Sequence, residues 1–177
     1  MLKALRYKIL IKQHKNRIYS YSYLMMRNRM DADDITQEVL IRIWKNIDSF
    51  NINKAKSWIM RTTRNLCLDY LRQRQSSTKK FIEINEEFEN NYNEGNMLND
   101  PDIMLRKELI KSKINEAVEK LPELLKSVFV LYELEGMKYK EISEVLNIPI
   151  NSVKVYLLRA RKKLQLELRE LVHEKAI

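Results

Sequence analysis

The chain has 177 residues, room for one or two small domains, and its 33 Lys and Arg against 24 Asp and Glu give a formal net charge of +9. Two glycines and three prolines among abundant Leu, Ile, Lys, Glu and Arg suit helices joined by few tight turns, so an all-α protein is expected. A single cysteine, Cys67, excludes a disulfide framework and a thiolate metal cluster; no apolar run approaches the roughly 20 residues of a membrane span and no secretory leader is apparent, so a soluble, cytoplasmic chain without membrane insertion is expected.

The charge is concentrated in the first third. Residues 1–75 hold 16 basic against 6 acidic side chains, residues 76–107 hold 4 against 7, and residues 108–177 hold 13 against 11. The first lobe opens on a segment from 4 to 26 with Leu5, Ile9, Ile18, Tyr19, Tyr23 and Met26 at loosely helical spacing. "DADDITQEV" follows at 31–39, with acids suited to the positive end of a helix. Ile35, Val39, Ile43 and Trp44 recur at helical steps and read as core, while Asp34, Gln37, Glu38 and Ile41 share another face. Such a face fits either solvent or a docking partner, and its carboxylates also invite a Mg²⁺ reading. No second acidic cluster supports metal-dependent cleavage, and the two histidines, His14 and His173, read as surface residues far apart, so neither metal nor cofactor is expected.

A short loop leads into a basic helix from about Ser57. Trp58, Thr62 and Leu66 fall on one side, Arg61, Asn65, Asp69 and Arg72 run down another, and Arg64 and Arg74 widen the positive strip. Cations interleaved with Phe50, Trp58 and Tyr70 can neutralise phosphates and offer faces on which unpaired bases stack. Residues 76–107, including "EINEEFENNYNEGNMLNDPD", are rich in Asn and Glu without an apolar period and read as a linker. Domains are accordingly expected at 1–75 and 108–177.

After the linker, Pro122 suits the first turn of a helix carrying Val128, Leu131 and Tyr132, which Gly136 ends. "YKEISEVL" makes a short helix, Asn147 accepts the left-handed backbone of a tight turn, and a last helix follows Pro149 with Asn151 or Ser152 as its cap. Val153, Leu157, Ala160 and Leu164 form its buried stripe. Ser152, Val155 and Arg159 form an exposed row flanked by Lys154, Arg161, Lys162 and Lys163, a helix-turn-helix equipped for DNA.

In combination these segments resemble the extracytoplasmic-function (ECF) class of bacterial sigma-70-type sigma factors. "DADDITQEVLIRIWKNIDSF" is similar to the family's acidic D-x-x-Q-E/D helix, "SWIMRTTRNLCLDYLRQR" to its W-L-x-x-I-A-x-N-x-x-x-D-x-x-R helix, and "LPELLKSVFVLYELEGMKYKEISEVLNIPINSVKVYLLRARKKL" to its region 4. The resemblance implies two helical domains, regions 2 and 4, and a non-catalytic subunit that brings core RNA polymerase to promoters and helps melt DNA. Asp34, Gln37, Glu38, Ile41 and Arg42 would then face the clamp helices of the polymerase β′ subunit, with the β subunit a further partner. Ser49, Phe50, Asn51, Asn53, Trp58, Arg61, Arg64, Asn65 and Arg72 would meet the minus-10 element. Tyr139, Lys140, Asn151, Ser152, Lys154, Val155, Arg159, Arg161 and Lys162 would meet the minus-35 element. An anti-sigma factor, in this class often membrane-anchored, is the further partner implied, the free chain being a monomer. Where the family often reads V-K-S-R-L-H-R-A-R, this chain has Val155, Tyr156 and Leu158 in place of Ser, Arg and His, which predicts an altered minus-35 preference.

Two rival readings are separable. A stand-alone helix-turn-helix regulator would need no docking face and would commonly dimerise on paired half-sites. A pure interaction module would show no salt-dependent binding to promoter DNA.

Overall fold

The computed structural model describes residues 2–49, 51, 54–78 and 101–173, all of them in helices, turns or connecting segments. Among the described residues seven α-helices follow one another: α1 Leu2–Met26, α2 Arg29–Asn46, α3 Ala55–Thr78, α4 Pro101–Glu119, α5 Glu123–Phe129, α6 Tyr139–Leu146 and α7 Ile150–His173. One π-helical turn, Val130–Leu134, extends α5. Among the described residues there is no strand, as the composition predicts, and no helix long and apolar enough to cross a membrane. By packing, the chain groups into Met1–Ile82 with Val130–Lys154, and Glu83–Phe129 with Val155–Ile177.

In the first unit, α1, α2 and α3 pack on one another and α6 lies against α3. The reason is visible in the spacing of buried positions. Leu10, His14, Ile18, Tyr21, Ser22 and Met25 form one stripe of α1; Ala32, Ile35, Val39 and Ile43 do so in α2; Ile59, Met60, Thr63, Leu66 and Cys67 do so in α3. Burying each large aliphatic side chain is worth about 1.5–3 kcal/mol, so these three stripes drive the lobe together. Thr36 and Thr63 sit inside because each hydroxyl donates to the carbonyl four residues back, Ala32 and Ile59, at 2.6 and 2.8 Å.

Several expectations change. Trp44 is not core: it stays 42 % exposed at the end of α2, edge-on to Tyr7 with ring centroids 5.0 Å apart and with Lys3 Nζ 5.2 Å above it. Leu5 and Ile9 face outward, while Ile18 and Met26 are buried. His14 is buried rather than on the surface, because it falls in register with Leu10 and Ile18; the His173 side chain lies outside the described residues. The α2 cap is Asn28, whose Oδ1 accepts from the Asp31 N–H at 3.0 Å, and the acidic cluster lies in the first turns of α2, the positive end it was expected to suit. The third helix begins at Ala55, two residues before Ser57.

Pro122 stands just ahead of α5, its carbonyl accepting the Lys126 N–H at 2.9 Å, and Gly136 closes the π-helical extension at φ +59°. The turn between α6 and α7 is as read: Asn147 is left-handed at φ 53°, ψ 49°. Ser143 secures it from both sides, its carbonyl accepting the Ile148 N–H at 3.2 Å and its hydroxyl donating to the Ile148 carbonyl at 2.6 Å. α7 begins one residue earlier than Asn151, and the Pro149 carbonyl takes its first bond from the Val153 N–H at 3.2 Å, so neither Asn151 nor Ser152 is the cap. In the second unit Lys120 and Glu167 pair at 2.9 Å, tying the segment after α4 to α7.

Candidate nucleic-acid interface and docking face

The helical register of α2 separates two populations. Ile35, Val39 and Ile43 are fully buried, which turns Asp34, Gln37 and Ile41 outward and leaves Glu38 and Arg42 half-buried at their side. Glu38 Oε1 accepts from Arg42 Nε at 2.8 Å, an i,i+4 pair that holds both side chains along the helix. Ile41 is 46 % exposed beside them. The result is an acidic face with one apolar projection, which suits a protein partner better than a hydrated ion. Among the described residues, no three His, Cys, Asp or Glu side chains gather as a metal ion would require.

Asp31 and Asp33 part company. Asp33 is exposed, whereas Asp31 Oδ2 lies 2.7 Å from Arg74 Nη2, joining the first turn of α2 to the end of α3. Arg74 is therefore an internal counter-ion as well as a member of the positive strip.

On α3 the predicted row of Arg61, Asn65, Asp69 and Arg72 is exposed throughout, with Trp58 and Arg64 half-buried beside it. Arg72 Nη1 lies 3.4 Å from Asp69 Oδ1. Arg61 donates to the Glu144 carbonyl of α6, and Lys56 Nζ lies 3.9 Å from Glu141, so the basic helix also holds α6. Ahead of α3, Ser49 is exposed and bonds the Asn46 carbonyl through its N–H at 3.0 Å and its hydroxyl at 2.7 Å. Asn51 is exposed and its carbonyl accepts the Lys54 N–H at 2.9 Å. Phe50 and Asn53 lie outside the described residues.

The helix-turn-helix presents the other predicted set. Tyr139 is stacked on Tyr132 with centroids 5.0 Å apart and planes 11° from parallel, and Lys154 Nζ stands 5.9 Å from the Tyr139 centroid. Lys140 and Asn151 are exposed and Ser152 is half-buried. Along α7, Val153, Leu157, Ala160 and Leu164 are buried as expected, so Val155, Arg159, Arg161, Lys162 and Lys163 face solvent. Arg159 is also 6.0 Å from the Tyr156 ring, which steadies the guanidinium without neutralising it.

Two features had no clear sequence signal. Glu135, 8 % exposed, lies 3.8 Å from Arg17 Nε; burial pushes its carboxyl up, and the Arg17 and Lys56 charges pull it back. Burial holds the His14 imidazole below its ordinary value, helped by the same Arg17 and Lys56. The Arg17–Glu135 pair joins residues 118 positions apart, which no local spacing reveals. Cys67 is inert, its thiol pushed up to about 12 mainly by burial.

Comparison with known proteins gives matches over both halves of the chain. A family model described as Sigma-70 region 2 matches residues 10–77, and one described as Sigma-70, region 4 matches residues 111–164. The chain is 34 % identical over 164 residues to the ECF RNA polymerase sigma factor SigW of Bacillus subtilis, covering 89 % of this chain and 86 % of the relative. It is 31 % identical over 147 residues to the ECF RNA polymerase sigma-E factor of Escherichia coli, covering 80 % and 76 % respectively. Its fold is similar to the sigma factor RpoE solved with the anti-sigma factor NepR from Bartonella quintana, with a TM-score of 0.74 at 18 % identity over 92 % of this chain and 96 % of the other. It is also similar to CnrH solved with the cytosolic domain of CnrY, with a TM-score of 0.65 at 21 % identity over 93 % and 88 %.

Proposed function

This chain belongs to the ECF class of sigma-70 family sigma factors, and on that premise we propose that it binds core RNA polymerase and directs it to a subset of promoters. The observation that carries the reading is the ordered pair of matches, region 2 over residues 10–77 and region 4 over 111–164. Residues 1–75 act as the domain for polymerase and the minus-10 element, 76–107 as the linker, and 108–177 as the domain for the minus-35 element.

Each surface suits its task physically. Asp34, Gln37, Glu38, Ile41 and Arg42 dock on the β′ clamp helices, where an acidic patch stays distinct from the cations that meet DNA. Ser49, Phe50, Asn51, Asn53, Trp58, Arg61, Arg64, Asn65 and Arg72 capture the minus-10 strand. Holding a flipped base and its phosphates offsets lost stacking, on the order of a few kcal/mol per disrupted step. Tyr139, Lys140, Asn151, Ser152, Lys154, Val155, Arg159, Arg161 and Lys162 engage the minus-35 duplex, phosphate contacts setting the register and α7 reading base edges. No bond is made or broken by this chain; RNA synthesis belongs to the polymerase. The working site is the cytoplasm. Two structural neighbours were solved with an anti-sigma factor or a cytosolic partner domain, and an anti-sigma factor is the corresponding partner here.

The test is in vitro transcription by core polymerase plus this chain over a library of promoter fragments. Transcripts starting at a defined subset of fragments are expected, and an Asp34→Lys, Glu38→Lys double variant loses both transcripts and co-elution with core while keeping its helical circular dichroism. Absence of chain-dependent transcripts, or undiminished core binding by the double variant, overturns the reading.

A further inference from the structure

The outward face of α7 carries something the phosphate and hydrogen-bond contacts leave unused. Val155 is 44 % exposed and Leu158 is 68 % exposed, one helical turn apart, on the side of α7 away from the buried stripe of Leu157, Ala160 and Leu164. A lone exposed aliphatic side chain needs no explanation. These two sit in a setting with a definite chemistry. From Ile150 to Leu166 there is no Asp or Glu, while Lys154, Arg159, Arg161, Lys162 and Lys163 supply five cations. A face of that charge selects a polyanion, so the apolar pair meets whatever apolar groups a polyanion offers.

In the DNA major groove the C5-methyl of thymine is the apolar group that sets one base pair apart from the others; the polar groups presented there are hydrogen-bond donors and acceptors. Neither Val155 nor Leu158 can bond those donors and acceptors through its side chain. Residues one turn apart have Cβ atoms about 5–6 Å from one another, and successive base pairs rise about 3.4 Å, so the two side chains reach methyls on neighbouring or next-neighbouring pairs.

We propose that Val155 and Leu158 are specificity-determining residues that read thymine methyl groups at two positions of the minus-35 element. The proposal rests on the sigma-factor reading above and goes beyond it by naming the chemical group recognised. Deoxyuridine tests it cleanly, because it removes the methyl while keeping every hydrogen-bonding group of the base.

A duplex minus-35 element is first selected from a randomised library by the full chain with core polymerase, then resynthesised with deoxyuridine replacing each thymine in turn. At two positions the substitution is expected to weaken binding about fourfold, the equivalent of one buried methyl. Val155→Ser should abolish the discrimination at one of them and Leu158→Gln at the other. Equal binding of thymine and uracil duplexes, a selected element lacking thymine at two such pairs, or discrimination that survives both variants overturns the proposal. Thymine–uracil indifference with lost core affinity in Leu158→Gln would assign Leu158 to a protein contact instead. Transcription from defined promoters combined with indifference to the methyl defeats this proposal alone; failure to select any duplex or to initiate transcription defeats both.

Discussion

Asp31 Oδ2 stands 2.7 Å from Arg74 Nη2, so an acid of the cluster at 31–34 is joined to a cation of the positive strip. Asp31 is only 19 % exposed and Arg74 49 %, and the carboxylate also lies in the first turn of α2, where the helix dipole favours it. Partial exposure limits the pair to about 0.2–1 kcal/mol. Arg74→Ala should therefore lower the urea midpoint slightly, while core polymerase binding stays within twofold. A large loss of core binding would place this end of the helix in the docking face after all.

Arg61 serves two masters. It donates to the Glu144 carbonyl in the free chain and is a proposed contact of the minus-10 strand. Arg61→Ala should cost no more than about 1.5 kcal/mol in stability, the net worth of such a bond. It should also reduce the slope of log binding constant against log salt for a forked promoter probe by about 0.7, the value for one lost single-strand phosphate contact. An unchanged slope measured between low and moderate salt would remove Arg61 from the strand-binding set.

The buried ionisable groups set opposite pH dependences. His14 is held below its ordinary value by burial, then by Arg17 and Lys56, so the unfolded chain takes up its proton first as pH falls through the ordinary value near 6.5. Its stability contribution is intact above that pH and declines below it. Glu135, pushed up by burial, binds its proton more readily in the folded state, so its contribution improves as pH falls toward 4.5. His14→Gln should flatten the decline in melting temperature between pH 7.5 and 5.5, and Glu135→Gln should remove the gain in stability as pH falls toward 4.5. Identical profiles for wild type and His14→Gln would contradict the burial account.

Asn147 holds the sharp turn at φ 53°. Asn147→Gly should be tolerated with little change in melting temperature, whereas Asn147→Val should cost about 1–2 kcal/mol, because a branched side chain crowds the following carbonyl in left-handed backbone. Equal stability of the two variants would show that the turn relaxes out of that conformation.

Legibility in the sequence followed the range of the interaction. The stripes Ile35–Val39–Ile43 and Val153–Leu157–Ala160–Leu164 are local periodicities, and each is buried as read. The short helix and the left-handed Asn147 were equally plain, since a tight turn leaves few residue choices. α4 went unread because much of its apolar content, Leu109, Ile110 and Ile114, faces outward and blurs the contrast between faces. Trp44 misled for the converse reason: it continues an apolar spacing but lies about 100° round the helix from Ile43, at the margin of a stripe that stays buried through Ile47.

By itself the sequence determined the helical class, the family, the outward acidic face of α2 and the basic face of α7, because those depend on composition and on a 3.6-residue repeat that holds wherever a helix packs. Only the tertiary structure decided which charges are spent internally. Asp31 found Arg74 across 43 positions, Arg61 found Glu144 across 83, and His14 and Glu135 were drawn into the interior beside Arg17. Ionic partners are chosen by distance in space once apolar stripes have brought helices together, and chain spacing carries no record of that distance.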